Sequence, residues 1–210
     1  ADGSNVIKAM WCVGELGIAH ERIDWGGEFG GNDDPEYRRK NPNGRLPTLE
    51  EDDGWTLWES GAVVRYLCMK HSLGNLCPET PRDRADAEKW MDWSSLNFAG
   101  FNSIYLQHYF GPEAKRNPDA ILAAAKALLP WLEILDRHLA GRQYLCGEKF
   151  TMADIPAGSL THRWFHWTPK AALREHSNVR AWYERLAARP AYKEHVIKAN
   201  AKRTQEIAAR

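Results

Sequence analysis

Two short stretches of this 210-residue chain place polar side chains where a helix is predicted to begin, Ser4-Asn5 and Glu59-Ser60. A helix start carries unpaired backbone N–H groups and the positive end of the macrodipole, so an anion such as a carboxylate or thiolate is favoured there. The plain alternative is that Ser4, Asn5 or Ser60 only caps its helix. Between them lies Arg45-Leu46-Pro47. Arg45 is either a fork of donors for a carboxylate or an ordinary solvated loop residue. Pro47 by itself reads as an edge-strand or turn proline. The four cysteines, Cys12, Cys68, Cys77 and Cys146, form no C-x-x-C pair and have no histidine at metal-ligand spacing. They read as free thiols of a reducing compartment, with no metal. Tyr105, Tyr109 and Phe110, and further on Trp164, Phe165 and Trp167, could wall an apolar pocket, although aromatics at helical spacing are more often core.

Lys plus Arg total 28 and Asp plus Glu total 28, so there is no basic field to hold a phosphate backbone, and nucleic acid is excluded as an expected partner. Apolar runs span only a few residues, far below the roughly 20 that cross a bilayer, and no hydrophobic leader follows the N-terminus. The expectation is a cytoplasmic protein that does not enter membranes. Its length suffices for one large or two modest self-supporting cores.

The elements that must hold these residues follow from periodicity. Val6, Ala9, Met10 and Val13 predict a helix over residues 5–16, with Gly17 as its C-terminal cap. Glu21 to Trp25 reads as a short strand, and Pro35 to Arg39 as a short helix. Asp52-Asp53-Gly54 between Leu46–Leu49 and Trp55–Trp58 has hairpin-turn chemistry. Residues 59–69 form a third helix, and the segment 71–81, with one Gly and two Pro, marks a boundary between residues 1–73 and 82–210. Beyond it all periodicity is helical. Ala87, Trp90, Met91, Ser94, Phe98, Phe101 and Tyr105 make one long stripe, and Leu122 to Leu139 another, capped by Asn117 and kinked at Pro130. Thr151-Met152-Ala153-Asp154 reads as a helix N-terminal cap. A helix at residue 5 feeding a strand at residue 21 is the second half of a right-handed βαβ unit, so a chain without its first strand is expected.

Ser4-Asn5-Val6 with Lys8, then Asn41-Pro42-Asn43-Gly44-Arg45-Leu46-Pro47-Thr48-Leu49, Leu57-Trp58-Glu59-Ser60 and Phe150-Thr151-Met152-Ala153-Asp154, in this order and spacing, resemble the glutathione transferase family. The resemblance implies an α/β thioredoxin-like N-terminal domain that binds glutathione and an all-α C-terminal domain that shapes the second-substrate pocket. It further implies a homodimer, glutathione as co-substrate and a hydrophobic electrophile as its partner. On this resemblance a cis bond before Pro47 turns the Leu46 backbone toward the ligand's cysteinyl unit. Glu59 accepts from the α-ammonium, Ser60 and the helix start hold the γ-glutamyl carboxylate, and Arg45 meets the glycyl carboxylate.

The family's reaction needs the glutathione thiol lowered from about 8.5 to the mid-sixes, about 2.7 kcal/mol. One hydrogen bond to the charged sulfur supplies roughly 1.5–3 kcal/mol and a helix N-terminus up to about 1, so a single donor suffices. Many members place Ser or Thr where this chain has Gly3. The expected donor is then the Asn5 amide, assisted by the Ser4 hydroxyl or backbone N–H groups, while a tyrosine on the first strand stays open. Pocket residues would be Tyr105, Tyr109 and Trp164. Cys12 lies about two turns past the helix start and reads as core. Conjugation, reduction of a disulfide or peroxide, and a non-catalytic binding or interaction module are the competing functions.

Overall fold

A computed structural model describes residues 3–111 and 117–201. Helix α1, Ser4–Leu16, ends where Gly17 turns left-handed at φ 63°, and the N–H groups of Gly17 and Ile18 return to the carbonyls of Gly14 and Val13. After a 3-10 turn at Gly27–Phe29 comes α2, Pro35–Lys40, capped by Asp34 accepting from the Glu36 N–H at 2.7 Å. Strands β1, Thr48–Glu50, and β2, Thr56–Trp58, pair antiparallel with Leu49 opposite Leu57. Helix α3, Ser60–His71, follows directly.

The helical half runs through α4, Pro81–Phe110, and α5, Pro118–Leu139, then α6, Asp154–Trp167, and α7, Ser177–Ala188. A short α8, Pro190–Tyr192, continues into a π-helical turn, Lys193–Ile197. All seven residues of the stripe predicted for α4 are buried. The α5 stripe is also buried from Ala125 onward, and the helix continues through Pro130. Fully buried leucines such as Leu128, Leu132 and Leu135 contribute about 1.5–3 kcal/mol each, which is what keeps a proline-containing helix in place.

Helix α1 is the hinge of the architecture, because α3 packs on one side of it and α6, α8 and the π-helical turn on the other. Trp11 is fully buried and meets the Tyr192 ring edge-on at 4.7 Å. Gly158 permits this closeness of α6, since a Cβ there would stand 2.6 Å from Leu186 Cδ1 and 3.0 Å from the Trp11 ring. Arg189 clasps Glu15 through two charge-assisted bonds, 2.8 and 2.6 Å, and Glu15 also accepts from Trp11 Nε1 at 2.8 Å.

One predicted element is corrected. Glu21–Trp25 is not a strand, and the sheet among the described residues has only the two strands of the hairpin. An extended segment becomes a strand only by sharing its N–H and C=O groups with a neighbour. No strand pairs with this one among the described residues, and Ile23 is 64 % exposed.

Candidate active site

Several helices of this chain have first-turn N–H groups capped by side chains, whereas α1 and α3 do not. Side chains accept from first-turn N–H groups at α2 (Asp34), α4 (Thr80) and α5 (Asn117), and Asp136 does the same for α7 through the N–H groups of Asn178 and Val179. At the head of α6 the Asp154 carboxylate accepts from the Thr151 N–H, and the Thr151 hydroxyl accepts from the Ala153 N–H. By contrast α1 starts after Gly3 and α3 after Glu59, each with no side-chain cap and no acidic residue in its first turn. Both ends open into one cavity of about 430 Å³. Its walls include Ser4, Asn5 and Lys8 from α1, Glu59 to Ala62 at the head of α3, and Ser95, Ala99 and Asn102 from α4. Two uncapped dipole ends and their free N–H groups make this cavity a receptor for anionic groups.

Glu59 holds φ 70° and ψ 116°, an uncommon conformation for a residue with a Cβ, and is exposed at the cavity edge. Such an outlier costs on the order of 1–3 kcal/mol, and here it turns β2 directly into the open end of α3. Ser60, next to it, is buried. The Asn5 side chain is exposed, and its Oδ1 accepts from Lys8 Nζ at 3.2 Å. An ammonium is donor-only, so it fixes the amide with its oxygen toward Lys8 and leaves both Nδ2 hydrogens to donate elsewhere. Lys8 itself is buried, and burial foremost, then the charge of Arg163, lowers its pKa to about 8.

Ser4 is placed differently from Asn5. Its hydroxyl donates to Asn102 Oδ1 at 2.9 Å and accepts from Arg163 Nη1 at 2.5 Å. A hydroxyl has one hydrogen, and that of Ser4 is committed to α4. Arg163, 1 % exposed, also reaches Asn102 and donates through Nε to Asn200 Oδ1 at 2.9 Å, tying α1, α4, α6 and the chain after the π-helical turn together beneath the site. Sequence reasoning missed Arg163 and Asn102. The only signal was a charge or an amide within a helical stretch, which does not say what it meets.

The third predicted segment lies beside this cavity. The Leu46–Pro47 bond is cis, and both residues line an adjoining groove of about 150 Å³ against Val6 and Met10 of α1 and Val63 of α3. The loop before them is fixed by Asn41, 2 % exposed, whose Nδ2 donates to the Arg45 carbonyl at 2.8 Å; the Tyr37 hydroxyl donates to the same carbonyl at 2.6 Å. The Arg45 side chain is exposed and lines neither space.

The aromatic wall is a correction. Tyr105 is fully buried with its hydroxyl donating to Thr168 Oγ1 at 2.6 Å, and Trp164 is 1 % exposed against Phe101. Both belong to the core between α4 and α6, because the stripe of α4 from Ala87 to Tyr105 is covered. The side chains of Tyr109 and Phe110 lie outside the described residues. Cys12 is core as expected, its sulfur 3.5 Å from that of Cys68. Among the described residues no group of His, Cys, Asp or Glu is arranged to hold a metal ion, and no helix is long and apolar enough to cross a membrane.

Comparison with known proteins follows this geometry closely. Residues 1–76 match the family model described as glutathione S-transferase, N-terminal domain, and residues 102–190 that of the C-terminal domain. The chain is 33 % identical over 202 residues to glutathione S-transferase GstB of Escherichia coli, covering 93 % of this chain and 94 % of the relative. It is 30 % identical over 200 residues to glutathione S-transferase 3 of Zea mays, covering 91 % and 88 %. Among solved structures it superposes with a TM-score of 0.86 on the theta class glutathione S-transferase of Xanthomonas axonopodis pv. citri with glutathione bound, at 43 % identity and 93 % of each chain. With its thioredoxin-like N-terminal half and small sheet, its helical C-terminal half and relatives that match along nearly the whole sequence, the chain belongs to the glutathione S-transferase family.

Proposed function

We propose that this protein is a glutathione transferase that ionises the glutathione thiol and directs the thiolate at an electrophilic small molecule. The observation that carries the reading is the pair of uncapped helix starts, α1 and α3, opening into one cavity. Glutathione supplies an anion for each. The γ-glutamyl carboxylate sits on the N–H groups of Ser60 and Gly61, with Glu59 accepting from its α-ammonium, and the sulfur sits on the first turn of α1. Asn5 Nδ2 is the side-chain donor to the sulfur, and backbone N–H groups of that turn assist, since the Ser4 hydrogen is bonded to Asn102. Leu46 offers its backbone to the cysteinyl unit from the adjoining groove, and Arg45 reaches for the glycyl carboxylate from the rim. Residues 1–73 thus hold glutathione, and residues 82–210 face the acceptor.

A second reading, glutathione-dependent reduction of a disulfide or peroxide, is favoured by the α4 wall. Ser95, Ala99 and Asn102 line the cavity, whereas Tyr105 and Trp164 are turned into the core, so the acceptor space is small and polar rather than a flat aromatic slot.

The test is the thiolate itself. Ultraviolet difference absorbance of bound glutathione, titrated with pH, is expected to give a thiol pKa about two units below the free value. Asn5→Ala should raise the bound value by about one unit or more, the worth of one hydrogen bond to a charged acceptor. An unshifted thiol in the wild-type complex sinks the reading, and an unchanged value in Asn5→Ala sinks the role of Asn5.

A further inference from the structure

Lys8 is 7 % exposed, lines the cavity one helical turn inside Asn5, and donates to Asn5 Oδ1. It enters no ion pair among the described residues. A buried ammonium in no ion pair is a standing cost to the fold, and natural proteins rarely keep one without compensation. Its charged surroundings are Arg163 of α6, which repels it, and Glu59 at the head of α3, which attracts it. Arg65 and Asp92 line the same cavity but are bonded to each other. Glu59 attracts Lys8 without pairing with it, which leaves the ammonium open to an anion in the cavity.

Building on the function proposed above, we propose that Lys8 is a positioning residue for the thiolate: it locks the Asn5 amide with Nδ2 toward the sulfur and supplies the positive charge against which the sulfur ionises. Both effects act in one direction. The locked amide avoids the rotamer in which its oxygen would face the sulfur and repel it. The ammonium lies within about one helical turn of the donor, a distance at which an opposite charge moves a pKa by one unit or more. The burial that lowers the Lys8 pKa in the empty site is answered when an anion binds, because a thiolate nearby favours the protonated lysine.

The experiment compares the wild type with Lys8→Met, Lys8→Gln and Lys8→Arg. The bound thiol pKa is read by thiolate absorbance, and affinity for S-methylglutathione, which has no ionisable sulfur, by calorimetry. Lys8→Met is expected to raise the bound thiol pKa by about one unit and to lower kcat/KM about tenfold at pH values below both pKa values. S-methylglutathione affinity should stay within about twofold. Lys8→Gln keeps a donor for Asn5 Oδ1 without the charge and should fall between, and Lys8→Arg should restore most of the shift. A bound thiol pKa equal to wild type in both Lys8→Met and Lys8→Gln overturns the proposal while leaving the glutathione site standing. So does a loss of S-methylglutathione affinity with no change in thiol pKa, which would make Lys8 a partner of the γ-glutamyl carboxylate instead. A wild-type complex whose thiol titrates as in free solution overturns this proposal together with the function on which it rests.

Discussion

Replacing Asp154 tests how the helical half is held beneath the site. This carboxylate is fully buried, and its two oxygens accept three N–H groups from three places. Oδ1 takes the Leu145 N–H at 3.0 Å and Trp182 Nε1 at 2.9 Å, and Oδ2 takes the Thr151 N–H at 3.0 Å. One side chain thus joins the α5–α6 connection, the head of α6 and the middle of α7. Asp154→Ala leaves three buried donors without acceptors, each worth about 1–3 kcal/mol, and where partial collapse relieves some of them the total is about 3–5 kcal/mol. Asp154→Asn is the sharper variant. Its carbonyl can keep the Leu145 and Trp182 bonds, but its NH2 then faces the Thr151 N–H, donor against donor, at a cost of about 2 kcal/mol. For a chain of this length each kcal/mol moves Tm by about 2–4 °C, so the expected losses are about 4–8 °C for Asn and about 6–20 °C for Ala. Thermal unfolding should be followed at one fixed protein concentration, because association would itself shift Tm. An Asn variant within about 1 °C of wild type would refute the claim that Oδ2 is a required acceptor and that the α6 cap is more than local.

Two other outcomes are expected. The folded-state pKa of Lys8 is lowered to about 8, against 10.5 for an ordinary lysine, so below pH 8 its buried charge opposes folding. Between those values the folded chain has shed the proton and the unfolded chain still holds it, so stability rises with pH. Lys8→Met should therefore be more stable than wild type near pH 7, by up to about 3 kcal/mol, with the gap closing as pH rises from 8 to 10.5; denaturant melts showing a constant gap would contradict the assignment. The exposed Trp55, Trp58 and Leu96, 45, 38 and 80 % accessible, leave apolar surface that a homodimer would cover. Sedimentation at low micromolar concentration is expected to give twice the 24.0 kDa subunit mass, and a mass of one subunit would count against the dimer.

Much of the fold was decided within a few residues of each signal, which is why the sequence alone reveals it. The spacing in α1 with Gly17 after it, the Asp-Asp-Gly hairpin, each three- or four-residue step of the α4 stripe and the bond from the Thr151 N–H to Asp154 connect residues within one or two turns of chain. Local energetics favour them before any tertiary packing is added. The segment Glu21–Trp25 had the composition of a strand but no partner, and a strand is a property of two segments, so local sequence misreads it. Periodicity likewise assigned Tyr105 and Trp164 to an apolar face, but only the docking of α4 on α6 decided that this face would be core instead of pocket wall.

The site divides in the same way. The sequence by itself determined which helix starts carry polar groups, that Gly3 provides no hydroxyl for α1, and that Asn5 offers an amide there. Tertiary structure decided the rest: that both uncapped ends share a cavity, that Ser4 gives its hydrogen to a residue 98 positions away, and that Lys8 is buried with no ion pair among the described residues. Those outcomes depend on where α4 and α6 come to rest against α1. That docking is fixed by packing between segments far apart in the chain, and no spacing within either segment encodes it.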